Sequence, residues 1–251
     1  MIEARDLEKQ FSAPRGREAP GGFVHAVRHV SFTAPDGRIT GLLGPNGAGK
    51  TTTLRMISTL VQPSKGTALV DGIEVTRDPH AVRARIGVLS DARGLYARLT
   101  ARENISYYAT LRGLEPAAVE RAIAKYGELL DMKPLLDRRT DGFSQGERMK
   151  VAIARALVHD PPNVMLDEPT NGLDVMTTRN LREVIRQLRT DGKCVLFSSH
   201  VMQEVSHLCD EIVIVARGSV VARGTAEELL AQSGYSTLED AFVHLAGEMV
   251  E

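Results

Sequence analysis

The chain has 251 residues, enough to bury roughly 70–75% of its unfolded surface in one or two packed units. Hydrophobic residues make up 43%, charged residues 25%, the net charge is −1 and Trp is absent, which argues against a nucleic-acid partner and against a base-stacking surface. No apolar run approaches the ~20 residues that span a bilayer, and the start, Met1-Ile2-Glu3-Ala4-Arg5-Asp6, is too polar for a signal peptide, so any membrane role must come through a partner.

A first strand-like segment ends at Phe11, and residues 12–24, rich in Pro, Gly and Arg, read as a surface loop. Strands are predicted at 25–33 and 39–43. Residues 44–52 then read Gly44-Pro45-Asn46-Gly47-Ala48-Gly49-Lys50-Thr51-Thr52, the pattern G-x-x-x-x-G-K-[ST]. Glycines let successive backbone N–H groups converge on a phosphate with no Cβ in the way. Lys50 would reach the β- and γ-phosphates, and the Thr51 hydroxyl would sit on Mg²⁺. A helix follows, with Leu54, Ile57 and Leu60 at helical spacing. Strand, glycine loop, helix is the order that puts a helix N-terminus behind the phosphate. The ligand class is therefore a nucleoside triphosphate.

Further strands are predicted at 67–71 and 86–89. From about 92 to 158 the pattern turns helical. Leu99-Thr100-Ala101-Arg102-Glu103 opens one helix, a second runs around 117–130, and a third starts at Ser144. Ser144-x-x-Glu147 fits a capping box, and the same N-terminus can bind a phosphate. Nearly continuous apolar strands return at 163–166, 194–197 and 212–215, as in sheets covered on both faces. Cys194 and Cys209 lack metal-ligand spacing and read as buried, reduced thiols. In the tail, Thr225-x-x-Glu228 and Ser236-x-x-Glu239 are two more capping boxes, each before a short terminal helix.

The strand at 163–166 ends in Asp167-Glu168. Ligands bind beyond the carboxyl ends of parallel strands. Asp167 is thus positioned for Mg²⁺, and Glu168 to polarise a water for attack on the γ-phosphate. Positioning and charge neutralisation are what phosphoryl transfer needs.

Gly44–Thr52, Phe143–Glu147, Leu166-Asp167-Glu168-Pro169-Thr170, Asn171-Gly172-Leu173-Asp174 and Ser198-Ser199-His200 occur in the order found in ATP-binding-cassette (ABC) ATPases, and over residues 1–225 the chain resembles that family. The resemblance implies an α/β P-loop NTPase (RecA-like) core with an antiparallel β subdomain and an inserted α-helical subdomain. The whole chain, 1–251, is then a single ATP-binding domain. Its nucleotide-binding core covers about 1–90 and 159–224, its helical subdomain about 91–158, and its C-terminal helices about 225–251.

The resemblance also implies a head-to-tail dimer over two Mg-ATP, with either a second copy or a related subunit. ATP on the P-loop of one subunit meets Ser144, Gln145, Gly146 and Glu147 of the other. Asp174 would couple the two sites, and His200 would hydrogen-bond the γ-phosphate. An aromatic stacks on adenine in this family. Phe11 is the choice, Phe23 across the 12–22 loop the alternative, and either could instead be core. Phe143-Ser144-Gln145-Gly146-Glu147 departs from the commoner Leu-Ser-Gly-Gly-Gln but keeps the Ser and second Gly. Asp91 stands where the family usually has Gln near Mg²⁺, and is expected to tune hydrolysis without abolishing it.

Residues 94–104 and 199–205 are similar to bacterial exporter ATPases of the sodium-efflux type, and related drug exporters share such segments. This implies a separate permease, docked on the region from Asp91 to about Leu114, and a location peripheral to the cytoplasmic face of the inner membrane. A soluble ABC ATPase of translation or DNA repair is the alternative. A non-hydrolysing binding module is the third, opposed by the presence of Lys50, Asp167, Glu168 and His200.

Overall fold

Uninterrupted apolar runs become the central sheet, whose two faces feed two separate cores. The computed structural model describes residues 1–13, 22–90 and 94–247. In chain order, the elements are β1 (Ile2–Ser12), β2 (Phe23–Ala34), β3 (Ile39–Leu43), α1 (Lys50–Ile57), β4 (Lys65–Val70), β5 (Ile73–Glu74), α2 (Pro79–Arg85) and β6 (Ile86–Leu89). Then come α3 (Ala101–Leu111), α4 (Pro116–Leu129), α5 (Gln145–Leu157), β7 (Asn163–Asp167), α6 (Val175–Thr190), β8 (Cys194–Ser199) and α7 (Met202–Leu208). The chain closes with β9 (Glu211–Ala216), β10 (Ser219–Gly224), α8 (Ala226–Ser233) and α9 (Leu238–Gly247).

One sheet has the order β10-β9-β3-β8-β7-β6, parallel except for the β9–β10 pair. The other, β2-β1-β4-β5, is antiparallel. In the parallel sheet, side chains alternate between cores with period two. Val164, Leu166, Val195, Phe197, Ile212 and Ile214 join the core shared with α3–α9. Met165, Cys194, Leu196, Val213 and Val215 join the core under the antiparallel sheet and α1. Both faces are buried, so both parities of each strand must be apolar.

The helical stretch lies between β6 and β7. Thr100 and Ser144 cap α3 and α5 through complete capping boxes with Glu103 and Glu147, the second of them the predicted box. Three expectations need correcting. Phe23 and Val24 belong to β2 and pair with Ser12 and Phe11, because the antiparallel ladder continues past the predicted boundary; residues 14–21 of the predicted loop lie outside the described residues. The helix after the glycine loop stops at Ile57, where Leu60 and Val61 N–H groups turn back to the Arg55 carbonyl and leave Leu60 exposed. In the tail, Thr225 and Glu228 form the predicted box, but the cap of α9 falls one residue later than predicted. Thr237 Oγ1 accepts from Asp240 N–H at 3.1 Å and donates to its carboxylate at 2.6 Å. Cys194 is buried and Cys209 partly buried; burial raises both thiols, that of Cys194 to about 12, so neither is a ready thiolate.

Candidate active site

The loop Gly44–Gly49 joins the end of β3 to the start of α1. Gly49 sits at φ 105°, and a Cβ there would lie 2.6 Å from the Ala26 carbonyl oxygen of β2. A Cβ on Gly44 would lie 2.2 Å from the Val215 carbonyl oxygen, so the loop is seated hard against both sheets. Gly218 N–H, beyond β9, donates to the Ala48 carbonyl at 2.9 Å and closes the seat.

Lys50, only 5% exposed, turns back over this loop. Its Nζ donates to the carbonyls of Gly44 (2.6 Å) and Pro45 (3.2 Å) and lies 3.1 Å from Glu168 Oε1. The other oxygen of Glu168, Oε2, is 2.7 Å from His200 Nδ1. One carboxylate thus bridges the loop lysine and the histidine after β8. A carboxylate held by two potential cations strengthens both contacts in a part-buried setting.

The backbone explains why Asp167 and Glu168, adjacent in sequence, face different partners. Glu168 has φ 48°, in the left-handed region, which costs on the order of 1–3 kcal/mol for a non-glycine residue. The chain kinks out of β7 there, and neighbouring β8 secures the kink. Glu168 N–H donates to Ser198 Oγ (3.0 Å) and to the Ser198 carbonyl (3.2 Å). Asp167 stays in register opposite Ser198, whose hydroxyl donates to Oδ1 at 2.6 Å. Ser198 therefore braces both acids. Within the Ser198-Ser199-His200 run only His200 carries an expected role; the signal for Ser198 is a hydroxyl at the end of a strand beside an acid-tipped one.

Glu168 lines two concavities. One is the shallow depression formed with Pro45–Thr52. The other is a cleft of about 670 Å³ toward the helical stretch, lined by Leu89, Ser90, Phe143, Gln145 and Asp167 among others. Thr51 and Thr52 sit in the first turn of α1, beside the depression. Thr51 hydroxyl and Asp167 carboxylate are hard oxygen donors of the kind Mg²⁺ takes. Among the described residues no group of three His, Cys, Asp or Glu side chains could hold a metal alone, so phosphate and water would complete such a shell. Asp91 lies outside the described residues.

The remaining predicted residues do not line the depression of Lys50 and Thr51. Ser144 Oγ accepts from Glu147 N–H at 3.2 Å, and Glu147 Oε2 accepts from Ser144 N–H at 2.8 Å. That backbone N–H, with Arg138 beside it, holds the Glu147 carboxyl below the usual range. Gln145, exposed like Ser144, donates its amide to the Asn171 carbonyl at 2.8 Å, tying α5 to the loop after Glu168. Ser144 and Gly146 are not among the residues that line the depression of Lys50 and Thr51. Asp174 caps α6, accepting from Thr177 N–H (2.9 Å) and Thr177 hydroxyl (2.6 Å). Phe11 and Phe23 are both exposed, on neighbouring strands, which removes the core reading of either. Lys9 Nζ lies 5.1 Å from the Phe11 ring centre.

Residues 27–171, more than half of the chain, match the family described as "ABC transporter". The chain is 47% identical over 230 residues to the ABC transporter ATP-binding protein NatA of Bacillus subtilis (strain 168), covering 91% of each. A solved structure titled "Structure of ATP binding subunit of ABC transporter" matches with a TM-score of 0.84 and 28% identity, covering 97% of this chain and 98% of that one. The fold is also that of a dimeric ATP-binding cassette, MJ0796, solved in a post-hydrolysis state bound to ADP and Pi (TM-score 0.80, 22% identity, 90% and 98% covered). A complete phosphate loop, an acid-tipped strand in the same parallel sheet and these matches make the chain a member of the ABC transporter family, an ATP-binding subunit with ATPase activity.

Proposed function

We propose that this chain energises a bacterial exporter: two copies, or one copy and a related subunit, close over two Mg-ATP and drive a separate permease at the cytoplasmic face of the inner membrane. The observation that carries the reading is Glu168, held 3.1 Å from Lys50 Nζ and 2.7 Å from His200 Nδ1 beside the phosphate loop. In this reading the backbone N–H groups of residues 44–52 and Lys50 bind the phosphates. Glu168 takes the proton of the attacking water, and His200 orients Glu168 and donates to the γ-phosphate. Thr51 and Asp167 would hold Mg²⁺, which neutralises charge on the phosphoryl oxygens, and Asp91 would tune its surroundings. Phe11 would stack on adenine, with Phe23 as the alternative.

Support for the dimer comes from two observations. Ser144 and Gly146 do not line the depression of their own chain, which suits a role in completing another's. Beside Asp174, Val175 and Met176 are 82% and 63% exposed, apolar groups that suit a surface awaiting a partner. Support for a permease comes from the described part of the 91–114 region. Tyr96, Tyr107 and Leu111 are exposed there, and Tyr96 and Tyr107 meet edge to face at 5.4 Å. No helix among the described residues is long and apolar enough to cross a membrane, so the passage itself would belong to that second chain. We take the domain as a nucleotide-binding core (about 1–90 and 159–224) carrying a helical subdomain (about 91–158) and short terminal helices (about 225–251). Sodium or a drug is the transported class that the sequence segments favour.

Glu168→Gln keeps the shape and removes the base. Its steady-state ATP hydrolysis should fall by roughly 100-fold or more, with ATP still bound. Hydrolysis at the parent rate would remove Glu168 from its role. Affinity purification from membranes should bring down an integral-membrane protein; an active ATPase recovered without one would favour the soluble, non-transport reading.

A further inference from the structure

Glu204, on α7, takes no part in the chemistry above, yet it is only 6% exposed. Buried carboxylates are rare unless partnered. Here a single oxygen, Oε2, accepts the hydroxyl of Thr170 at 2.5 Å and the hydroxyl of Ser199 at 3.2 Å. Arg182 of α6 lies 3.6 Å from the other oxygen. Thr170 is two residues after Glu168, and Ser199 immediately precedes His200. Ser199 is itself tied inward: its carbonyl accepts Gly44 N–H at 3.3 Å, at the start of the phosphate loop, and its hydroxyl accepts Val201 N–H at 3.0 Å.

We propose that Glu204 is a positioning residue for hydrolysis: it clamps the Glu168–Thr170 turn to the Ser199–His200 turn, so that base and histidine meet where the phosphate loop begins. The inference rests on the roles given above to Glu168 and His200. The two turns leave adjacent parallel strands, β7 and β8, and just past Asp167 they are joined by Glu168 N–H, which donates to the Ser198 carbonyl and hydroxyl. Beyond that point the Glu168–His200 side-chain contact links the turns, and Glu168 is in a strained backbone conformation. The Glu204 carboxylate supplies a further fixed point, between Thr170 of one turn and Ser199 of the other. Its negative charge matters less to this task than its shape and two hydrogen-bond sites.

The test is kcat and KM for ATP, with the rate counted per bound nucleotide, in E204A, T170V, E204Q and the parent, beside E168Q. E204A and T170V should lose about tenfold or more in kcat while KM stays within about threefold, since misplaced reacting groups cost turnover and not ground-state binding. E204Q can set its amide oxygen where Oε2 stands and accept both hydroxyls there, so it should recover most of the rate despite losing the charge opposite Arg182. T170V decides the matter should E204A fail to fold. The proposal is overturned if T170V runs at the parent rate, or if E204Q is as slow as E204A, which would make Glu204 a charge partner of Arg182 and not a clamp. E168Q separates the two levels. A fully active E168Q would remove the roles on which the clamp depends. An inactive E168Q beside a parent-like T170V would sink the clamp alone.

Discussion

Glu168 shows how much one backbone angle decides. Two adjacent acids at a strand end are legible from sequence, and so is the notion that they split their work. What is not legible is that φ 48° at Glu168 swings its carboxylate between Lys50 and His200, because local sequence carries no signal for a left-handed glutamate. The kink exists because Ser198 on the next strand holds it, a contact between residues thirty positions apart. A second residue is as quiet in the sequence. His159 follows α5, and its Nε2 lies 3.1 Å from the Ile86 carbonyl while Nδ1 is buried with no partner among the described residues. Burial, with Arg112 and Lys193 nearby, lowers its pKa from 6.5 to about 4. Between those values the unfolded chain binds a proton that the folded chain refuses, so stability falls as pH drops through this window. His159→Gln should lessen that dependence. Urea midpoints at pH 5 and pH 7 check it: the drop from pH 7 to pH 5 should be smaller in the variant than in the parent, and equal drops would contradict it.

At the scale of elements, capping explains most of what the sequence predicts well and one place where it slips. Thr100 and Ser144 each sit three residues before a Glu and ahead of an apolar helical pattern, and both boxes form. In the tail, Ser236 and Thr237 stand side by side, each with an acid three residues on. Spacing alone does not choose between them; the structure uses Thr237 and Asp240. Other short elements, α2 and β10, have no apolar periodicity long enough to read, although Asp78 before Pro79 was a start signal for α2. The caps also separate structure from function. Thr100→Ala and Ser144→Ala should each cost about 1 kcal/mol, roughly 2–4 °C in Tm for a chain of this size. Only Ser144→Ala should also slow ATP hydrolysis well beyond its loss of stability. Thermal melts and ATPase rates on the same samples check this, and equal ATPase losses in the two variants would leave Ser144 a cap only.

At the scale of the molecule, the two-sided burial of the parallel sheet was written in the hydrophobic runs. Strands buried on both faces are nearly continuously apolar, and that is how 163–166, 194–197 and 212–215 read, with Asn163 the polar start of the first. The antiparallel sheet was less legible, because its strands are long, bulged and partly polar. The half of the proposed site that lies on a second chain is legible only by resemblance: Ser144 and Gly146 do not line the depression of Lys50 in their own chain. The central claim is therefore about association. The decisive measurement is the mass of Glu168→Gln by analytical ultracentrifugation, with and without Mg-ATP, beside the same variant carrying Ser144→Arg. The expected result is a dimer that forms only with Mg-ATP and is abolished by Ser144→Arg. A Glu168→Gln protein that binds ATP and stays monomeric, or a dimer indifferent to Ser144→Arg, would contradict it.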